Sequence, residues 1–418
     1  PLMRYWLAVN TLLAAPSMAS HNKWLNYRTG KGIMAKVRMG MVGGGEGAFI
    51  GAVHRMAANL DGEIELVCGA FSSDSERSLR SGAALHLESH RVYADYRSMM
   101  EAEAQLPADQ RMQFVAIVTP NHMHYPVAVA ALEAGFHVMS DKPATFSLDE
   151  ALALRNLVEK TGLLYGLTHT YTGYPLVKEA RERVLAGELG KIRKIIAEYP
   201  QGWLADRQED EDNKQAAWRL DPNQAGISSC MGDIGVHAAN LAEYVSGLKI
   251  TEMCADLTAF VEGRDLDDDG SVLLRFENGA KGVLFASQIS VGEENAVKIR
   301  VYGEKGGLEW VQQEPNTLWL KWNDGPTEML RTSAGYLGEL ASANSRTPGG
   351  HPEGYLEAFA NIYMAFAGQI RAREAGESAD ARSADCPGIE EAVRGMTFIE
   401  LAVSASASDT KWHTFPSH

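Results

Sequence analysis

From Val37 onward the chain alternates short, almost wholly apolar runs with helix-length ones, and no other feature limits the fold so tightly. Val37-Arg38-Met39-Gly40-Met41-Val42, Ile64 to Ala70, Phe114 to Val118 and His137 to Ser140 read as strands. Phe49 to Leu60, Asp74 to Leu85, Tyr125 to Ala134 and Leu148 to Thr161 read as the helices that follow them. A strand that is apolar along its whole length is buried on both faces, as in a parallel sheet covered by helices. The first part of the chain is therefore expected to be α/β, a doubly wound parallel sheet.

After about Gly162 the rhythm changes. One strand (Leu163 to Leu167) and one helix (Pro175 to Ala186) precede short strand-like runs at 272–276, 282–287, 297–301 and 317–322. Turn signals separate these runs: Glu277-Asn278-Gly279, Gly303-Glu304-Lys305-Gly306-Gly307 and Asn323-Asp324-Gly325. That pattern predicts an α+β part with a mostly antiparallel open sheet. Helices return at Tyr355 to Arg373 and Ile389 to Ala405, and residues 373–386 read as a surface loop. The expected layout is an N-terminal extension or arm (1–35), a dinucleotide-binding domain (36–162), an α+β substrate domain (163–350) and C-terminal helices packing back on both (351–418). Within 1–35, Arg4 and the apolar run Tyr5 to Ala15, followed by small residues at 17–20, fit either an arm with Met34 as an alternative start or an export signal. The run falls short of the roughly 20 residues that span a bilayer.

The charge balance narrows the partners. Thirty-nine basic against 54 acidic side chains give a net charge of −15, which repels nucleic-acid phosphates and anionic lipid. The four cysteines, at 68, 230, 254 and 386, form no C-x-x-C pair, which fits a reducing, cytoplasmic setting and no structural zinc.

Gly43-Gly44-Gly45-Glu46-Gly47-Ala48 fits G-x-G-x-x-[GA] between a strand and a helix. Such a turn brings backbone N–H groups to a pyrophosphate at a helix N-terminus, the Rossmann arrangement. The turn is long, and Gly51 is an alternative for the glycine that packs helix on strand. At the end of the second strand, where NAD enzymes carry a ribose-binding acid, the chain reads Phe71-Ser72-Ser73-Asp74. Ser72 and Ser73 serve a ribose hydroxyl or a phosphate equally, so NAD and NADP both remain open.

Asp141-Lys142-Pro143 stands at the tip of a further parallel strand, where such sheets take their ligands. A lysine there can touch the nicotinamide ribose and polarise a substrate hydroxyl; a solvated lysine before a turn proline is the plain alternative. Asp233 and His237 are four residues apart at the head of a helix and share one face. A carboxylate can orient an imidazole there, and an imidazole can carry an alcohol proton; an N-capping aspartate and a core histidine explain the pair equally.

With these residues in view, the chain resembles the glucose–fructose oxidoreductase/inositol dehydrogenase/MocA family. The resemblance rests on the turn Gly43 to Gly51, on Thr119-Pro120-Asn121-His122-Met123-His124, on Asp141-Lys142-Pro143 and on Gly232-Asp233-Ile234-Gly235-Val236-His237, in that order, and covers about 36–410. The family commonly has glutamate where this chain has Asp141. The resemblance implies NAD(P)-dependent hydride transfer at a secondary alcohol or ketone of a sugar, glycoside or cyclitol. It implies Lys142, Asp233 and His237 as the catalytic set, with Thr119, Pro120, Asn121 and His124 beside the cofactor together with Gly43, Gly45, Glu46, Gly47 and Ala48. It also implies a homodimer or homotetramer formed through the antiparallel sheet.

His169 and Tyr171, just past a strand, and Trp218 and Arg219, an aromatic and a guanidinium suited to a polyol ring, are candidate substrate contacts. A non-catalytic dinucleotide sensor on the same fold, or a lyase or glycosidase using NAD transiently, are the competing readings. No metal is expected. Asp265 to Gly270 begins like a calcium loop but has Phe276 where the loop needs glutamate, and His122-Met123-His124 has no further ligand cluster.

Overall fold

The first strand, β1 (Val37–Gly43), buries most of its side chains; Arg38 is an exception, donating to the carbonyls of Arg111 (2.7 Å) and Ala108 (2.8 Å). The structure is a computed structural model and describes residues 35–210 and 213–418. The readings placed on residues 1–34 therefore lie outside the described residues.

The glycine-rich turn leads from β1 into α1 (Phe49–Asn59). Then follow β2 (Ile64–Ala70), α2 (Ser75–Ala84), α3 (Tyr96–Gln105), β3 (Phe114–Val118), α4 (His124–Glu133), β4 (His137–Ser140), α5 (Leu148–Thr161) and β5 (Tyr165–Leu167). Local chemistry sets several boundaries. Asp74 caps α2 by accepting from Arg77 N–H, Ser147 caps α5 through Glu150 N–H, and Gly162 ends α5 with a φ of 65°. The five strands are parallel and ordered β2-β1-β3-β4-β5. Strand order reverses at β1 and β3, so the carboxyl ends of these two strands flank the crevice where open α/β sheets bind ligand.

The second half contains α6 (Pro175–Leu185), β6 (Lys194–Pro200), α7 (Lys214–Arg219) and α8 (Val236–Ser246). After them come β7 (Ile250–Thr258), β8 (Asp269–Phe276), β9 (Lys281–Ser287), β10 (Lys298–Tyr302), β11 (Gly306–Val311), β12 (Thr317–Trp322) and β13 (Glu328–Arg331). The chain closes with α9 (Tyr355–Glu374), α10 (Ile389–Ser406) and β14 (His413–Thr414). Nine strands form one sheet ordered β13-β12-β11-β10-β6-β9-β8-β7-β14, antiparallel except where β6 runs with β9. Its inner face carries Ile195, Ala197, Val272, Leu274, Leu284, Ile299 and Trp310, packed in one core with Val177 and Ala180 of α6 and Leu241 of α8. The outer face carries a cross-strand row, Met329-Trp319-Glu309-Arg300-Ile196-Val283-Leu273. Trp319 and Met329 of this row are 38% and 50% exposed.

The last helices close both halves. Phe359, Tyr363, Phe366 and Ile370 of α9 enter the cluster that holds Val37, Met39, Met41 and Phe114, with the Phe114 and Phe366 rings 5.5 Å apart. Helix α10 lies against α5 and β7. Residues 373–386, expected to be a surface loop, are more ordered than that. Ala381–Ala384 form a helical turn, and Asp385 accepts from the buried Lys178 ammonium, because a lysine side chain only 2% exposed requires a counter-charge.

Candidate active site

Beyond β1, Gly43, Gly44 and Gly47 adopt φ values of 83°, 69° and 80°, a region that disfavours side chains. The turn is pinned from β2 and α2: Gly45 N–H donates to Phe71 O (3.2 Å) and Glu46 N–H to Ser81 Oγ (3.0 Å). A Cβ on Gly51 would stand 2.3 Å from Gly44 Cα, so Gly51 rather than Ala48 is the glycine that lets α1 close on the turn. Ala48 occupies the N-cap instead, with no side-chain cap and no acidic residue in the first helical turn, leaving the α1 amides unspent. At the tip of β2, Ser72 Oγ accepts from Asp74 N–H (3.1 Å), while the Asp74 carboxylate caps α2. Asp74 thus does not reach back toward a ribose, and Ser73 is exposed.

The β3 tip differs from expectation at two residues. His124, named as a cofactor contact, is buried, with Nδ1 2.6 Å from Pro143 O and Nε2 2.9 Å from Thr119 O. The ring nitrogens thus face two backbone carbonyls, one of which accepts the single N–H of the neutral ring, and His124 staples the β3 tip to the β4 tip. The Asn121 amide donates to Ala225 O (2.9 Å) and ties the same tip to the second half. Thr119 and Pro120 stay at the crevice: Thr119 Cγ2 would be 2.9 Å from a Cβ on Gly43, and Thr119 Oγ1 is buried without a hydrogen-bond partner.

Past β4, Asp141 accepts from Lys142 N–H (2.8 Å) and Thr168 Oγ1 (2.9 Å), with His54 Nε2 3.8 Å from its other oxygen. Burial favours the neutral carboxyl, but the His54 imidazole and Lys142 outweigh it and hold Asp141 well below the usual carboxylate range. Lys142 Nζ donates to Asp233 Oδ1 and to Asp233 O, each at 2.6 Å. Asp233 lies in a π-helical turn (Met231–Gly235) that leads into α8. Its Oδ2 accepts from Arg219 Nε (3.2 Å) and Gln288 Nε2 (3.1 Å). Burial opposes its charge, yet Lys142 and Arg219 prevail and keep Asp233 ionised.

The shared helix face suggested that Asp233 orients His237, and its hydrogen bonds go elsewhere. Charged donors compete for a carboxylate more strongly than a neutral imidazole does. His237 instead sets Nδ1 3.3 Å from His169 Nδ1 and packs edge-on against the Tyr171 ring, 5.0 Å between centroids. Tyr171 joins its hydroxyl to that of Tyr199 and accepts from Asn295 Nδ2 (3.0 Å), so it meets His237 with its ring. Arg219 Cζ stacks over Trp218, 4.4 Å from the ring centroid, which places Trp218 beside the Lys142–Asp233 pair.

Lys142, Asp233, Arg219, His237, His169 and Tyr171 are thus brought together, whereas His124 and Asn121 are turned to structural duty. Sequence reasoning missed Gln288, His54, Ser81, Tyr199 and Asn295. Of these only His54 left a signal, as a histidine on the apolar face of an otherwise ordinary helix.

Residues 37–169 match the family model described as "Oxidoreductase family, NAD-binding Rossmann fold", and residues 177–309 match the "GFO/IDH/MocA C-terminal domain". The chain belongs to the Gfo/Idh/MocA family. It is an oxidoreductase with an NAD-binding Rossmann fold. An inositol dehydrogenase homolog from Azotobacter vinelandii, solved with NAD+, is 36% identical with a TM-score of 0.87, over 92% of this chain and 99% of that one. The same homolog solved with NADH and myo-inositol gives 34% identity and a TM-score of 0.84, over 91% and 98%. An uncharacterized oxidoreductase of Bacillus subtilis, YfiI, is 33% identical over 92% of this chain and 99% of its own length. A levoglucosan dehydrogenase of Pseudarthrobacter phenanthrenivorans is 26% identical over 66% of this chain and 73% of its own.

The residues of this Gfo/Idh/MocA chain fit a dinucleotide. Among the described residues, no atom beyond its chain neighbours lies within 4 Å of a Cβ built on Gly47, the α1 N-cap makes no side-chain bond, and Thr119 Oγ1 is orphaned beside Gly43. Together these make an open, hydrogen-bonding cradle at the crevice between β1 and β3. Aspartates 267 and 268, the core of the calcium-like stretch, serve the fold instead: Asp267 accepts from Ser229 N–H and Met231 N–H, and Asp268 pairs with Arg264 at 3.2 Å.

Burial of the histidines has a consequence for acid stability. Burial depresses His169 to about 3 and, with Arg373, His137 to about 4, and it lowers His124 and His237 as well. The unfolded chain titrates these rings near 6.5, so below that pH the unfolded state binds more protons. Stability is therefore whole above about pH 6.5 and falls as pH drops toward the folded values, by about 1.4 kcal/mol per group per pH unit. The urea midpoint is expected to fall steeply between pH 6.5 and 5; a flat profile there contradicts neutral buried imidazoles.

Proposed function

We propose that this protein interconverts a secondary alcohol and the corresponding ketone on a cyclitol or sugar, with Lys142, Asp233 and His237 as the catalytic residues. The observation that carries this reading is the Lys142–Asp233 pair at 2.6 Å, formed on the turn that leads into the first residues of α8, where His237 stands. Bound on the glycine-rich turn, NAD(P) supplies the hydride acceptor or donor. Lys142 stabilises negative charge developing on the substrate oxygen. His237 takes the hydroxyl proton at Nε2; burial and the Lys142 charge keep the ring unprotonated at neutral pH, so a lone pair is available. Asp233 anchors Lys142 and Arg219, and Arg219 with Trp218 offers a cation and an aromatic face to a polyol ring. The cyclitol or sugar class is supported by relatives solved with myo-inositol or named for levoglucosan. A panel of inositols, monosaccharides and anhydrosugars, read by NAD(P)H absorbance, tests the reading. Turnover of a polyol supports it, and no reduction of NAD+ or NADP+ by any polyol rejects it.

The division at about 162 and 350 into cofactor half, substrate half and closing helices belongs to the same proposal. So does cofactor choice. Ser72 and Ser73 offer hydroxyls, and no carboxylate free of other duty stands at the β2 tip to repel a phosphate. The ratio of kcat/KM for NAD and NADP is expected to stay below about 10⁴, or about 5.5 kcal/mol. A larger ratio in steady-state kinetics refutes the serine assignment.

The outer row from Met329 to Leu273 is proposed to pair with a second copy in a homodimer or homotetramer, since it sets exposed apolar residues beside the charged Glu309 and Arg300. Light scattering should give a dimer or larger, and Trp319→Glu should shift it toward monomer. A monomeric parent protein at micromolar concentration rejects this pairing. Four free cysteines agree with a cytoplasmic location.

A further inference from the structure

The Nδ1 atoms of His169 and His237 face each other at 3.3 Å, and their rings meet at 80° with centroids 5.2 Å apart. A bond between two ring nitrogens needs one N–H and one lone pair, so the two rings fix each other's tautomer. Either His237 donates from Nδ1 and keeps a bare lone pair on Nε2, or it accepts at Nδ1 and carries its proton on Nε2. Only the first form can take a proton from a hydroxyl.

The first form is the one that proton acceptance at His237 requires, and the surroundings leave His237 Nδ1 no competing partner among the described residues. His169 is 1% exposed and sits on a locked turn after β5, its carbonyl accepting from Thr172 N–H (3.1 Å) and Thr172 Oγ1 (2.9 Å). The titratable groups around the pair are Lys142, Asp141, Asp233, Tyr171 and Tyr199. Tyr171 and Tyr199 present ring edges or faces to His237 while their hydroxyls bond each other, and Asp233 is engaged by Lys142, Arg219 and Gln288. Among the described residues, His169 is therefore the hydrogen-bond partner that His237 Nδ1 has. Burial and the Lys142 ammonium hold His169 neutral, so it remains able to accept. In that form the proton of His169 sits on Nε2, which is buried without a partner among the described residues, so the pair gives up one hydrogen bond there.

We infer that His169 is a positioning residue that accepts the Nδ1 proton of His237 and so holds His237 with its lone pair on Nε2. The inference rests on the reading of His237 as the proton acceptor. When His237 Nε2 takes the hydroxyl proton, the ring becomes an imidazolium whose Nδ1–H still donates to His169. No proton need leave the pair until it is released from Nε2, in the way a buried carboxylate steadies the histidine of a hydrolase.

Two substitutions separate this role from simple packing. His169→Asn keeps an acceptor at the δ position, and His169→Leu removes it. In the holo protein with ring-¹⁵N-labelled histidine, ¹H–¹⁵N correlation should show His237 as the Nδ1–H tautomer. That tautomer should persist in His169→Asn and be lost in His169→Leu. With myo-inositol and NAD+ as the first probe pair, or the best polyol of the panel, His169→Leu should lower kcat by about 10–100-fold with little change in KM, within the range of general-base effects. Its acid limb should move, and His169→Asn should recover kcat to within about fivefold.

An Nε2–H tautomer at His237 in the parent protein overturns the inference. So do a parent-like kcat in His169→Leu and equal losses in both variants expressed as a higher substrate KM, the mark of a substrate contact through Nε2. If the leucine protein does not fold, a kcat loss above tenfold in His169→Asn overturns it as well. His237→Ala, run alongside, keeps the two readings apart: retained turnover there removes the proton-acceptor role itself, whereas its loss beside an unaffected His169→Leu removes this inference alone.

Discussion

A Lys142→Ala protein is expected to fold normally and to lose about 10²–10³ in turnover, the scale of removing one charged donor from a developing oxyanion. Folding survives because Asp233 keeps Arg219 at 3.2 Å and Gln288 at 3.1 Å, so no carboxylate is left unpaired. Turnover does not, because Lys142 Nζ, held at 2.6 Å by both the Asp233 side chain and its carbonyl, is the cation that meets the turn leading into the helix that carries His237. Cofactor affinity should weaken as well, since an ammonium at this strand tip can touch the nicotinamide ribose as well as the substrate. Lysine to arginine should not restore the rate: the larger, planar guanidinium spreads its charge and cannot set a compact cation where the ammonium stands. Steady-state kinetics and fluorescence titration with NADH measure both effects, and a kcat within tenfold of the parent removes Lys142 from the chemistry.

The second large effect is expected at Gly51. An alanine there would put its Cβ 2.3 Å from Gly44 Cα and 2.5 Å from Gly44 O, against backbone that has no side chain to swing aside. Helix α1 and the turn must separate, and the amides that face the crevice lose their register. Affinity for NAD(H) should fall about 100-fold, close to 2.7 kcal/mol, with kcat at saturating cofactor far less changed. Gly45→Val acts on the other side of the turn, where its Cβ would meet Phe71 O and Ser81 Oγ at 2.8 Å. An unaltered NADH titration in a folded Gly51→Ala protein means that the pyrophosphate lies elsewhere.

The parallel half was legible because its signals are local. Buried strands are apolar throughout, and caps such as Ser147 and Gly162 sit where the helix needs them, so Leu148–Thr161 was read to the residue. The antiparallel half hid more. Strand β6 alternates buried and half-exposed positions with charges on the outer side, and β7 mixes Glu252, Asp256 and threonines into its run; neither resembles a continuous apolar strand. Gly306 and Gly307 read as turn yet begin β11. They are glycines because a Cβ would meet Lys321 O at 2.6 Å and Tyr302 Cδ1 at 2.7 Å, a crowding that exists only once the sheet is formed. Helix α3 carries Glu101, Glu103 and Gln105 and lacks a clear apolar stripe, so it too went unread.

In the candidate site, residue type was visible and partnership was not. Lys142, Asp233 and His237 stand in recognisable surroundings along the chain. That Asp233 serves Arg219 and Gln288, and that His237 turns to His169, follows from approaches between segments 14 to 68 residues apart.

The reach of α9 also bears on how the protein is made. Phe359, Tyr363, Phe366 and Ile370 complete the core beneath β1 and β3, yet they are translated some 190 residues after β5 has left the ribosome. At about 5–20 residues per second the nascent cofactor half waits roughly ten to forty seconds with Met39, Met41 and Phe114 lacking their cover. A gene fragment ending near residue 170 would make that wait permanent. The nucleotide-binding portion is in this sense unfinished by itself, and the late helix α9, whose Tyr363 also holds the His54 that faces Asp141, decides whether its core closes.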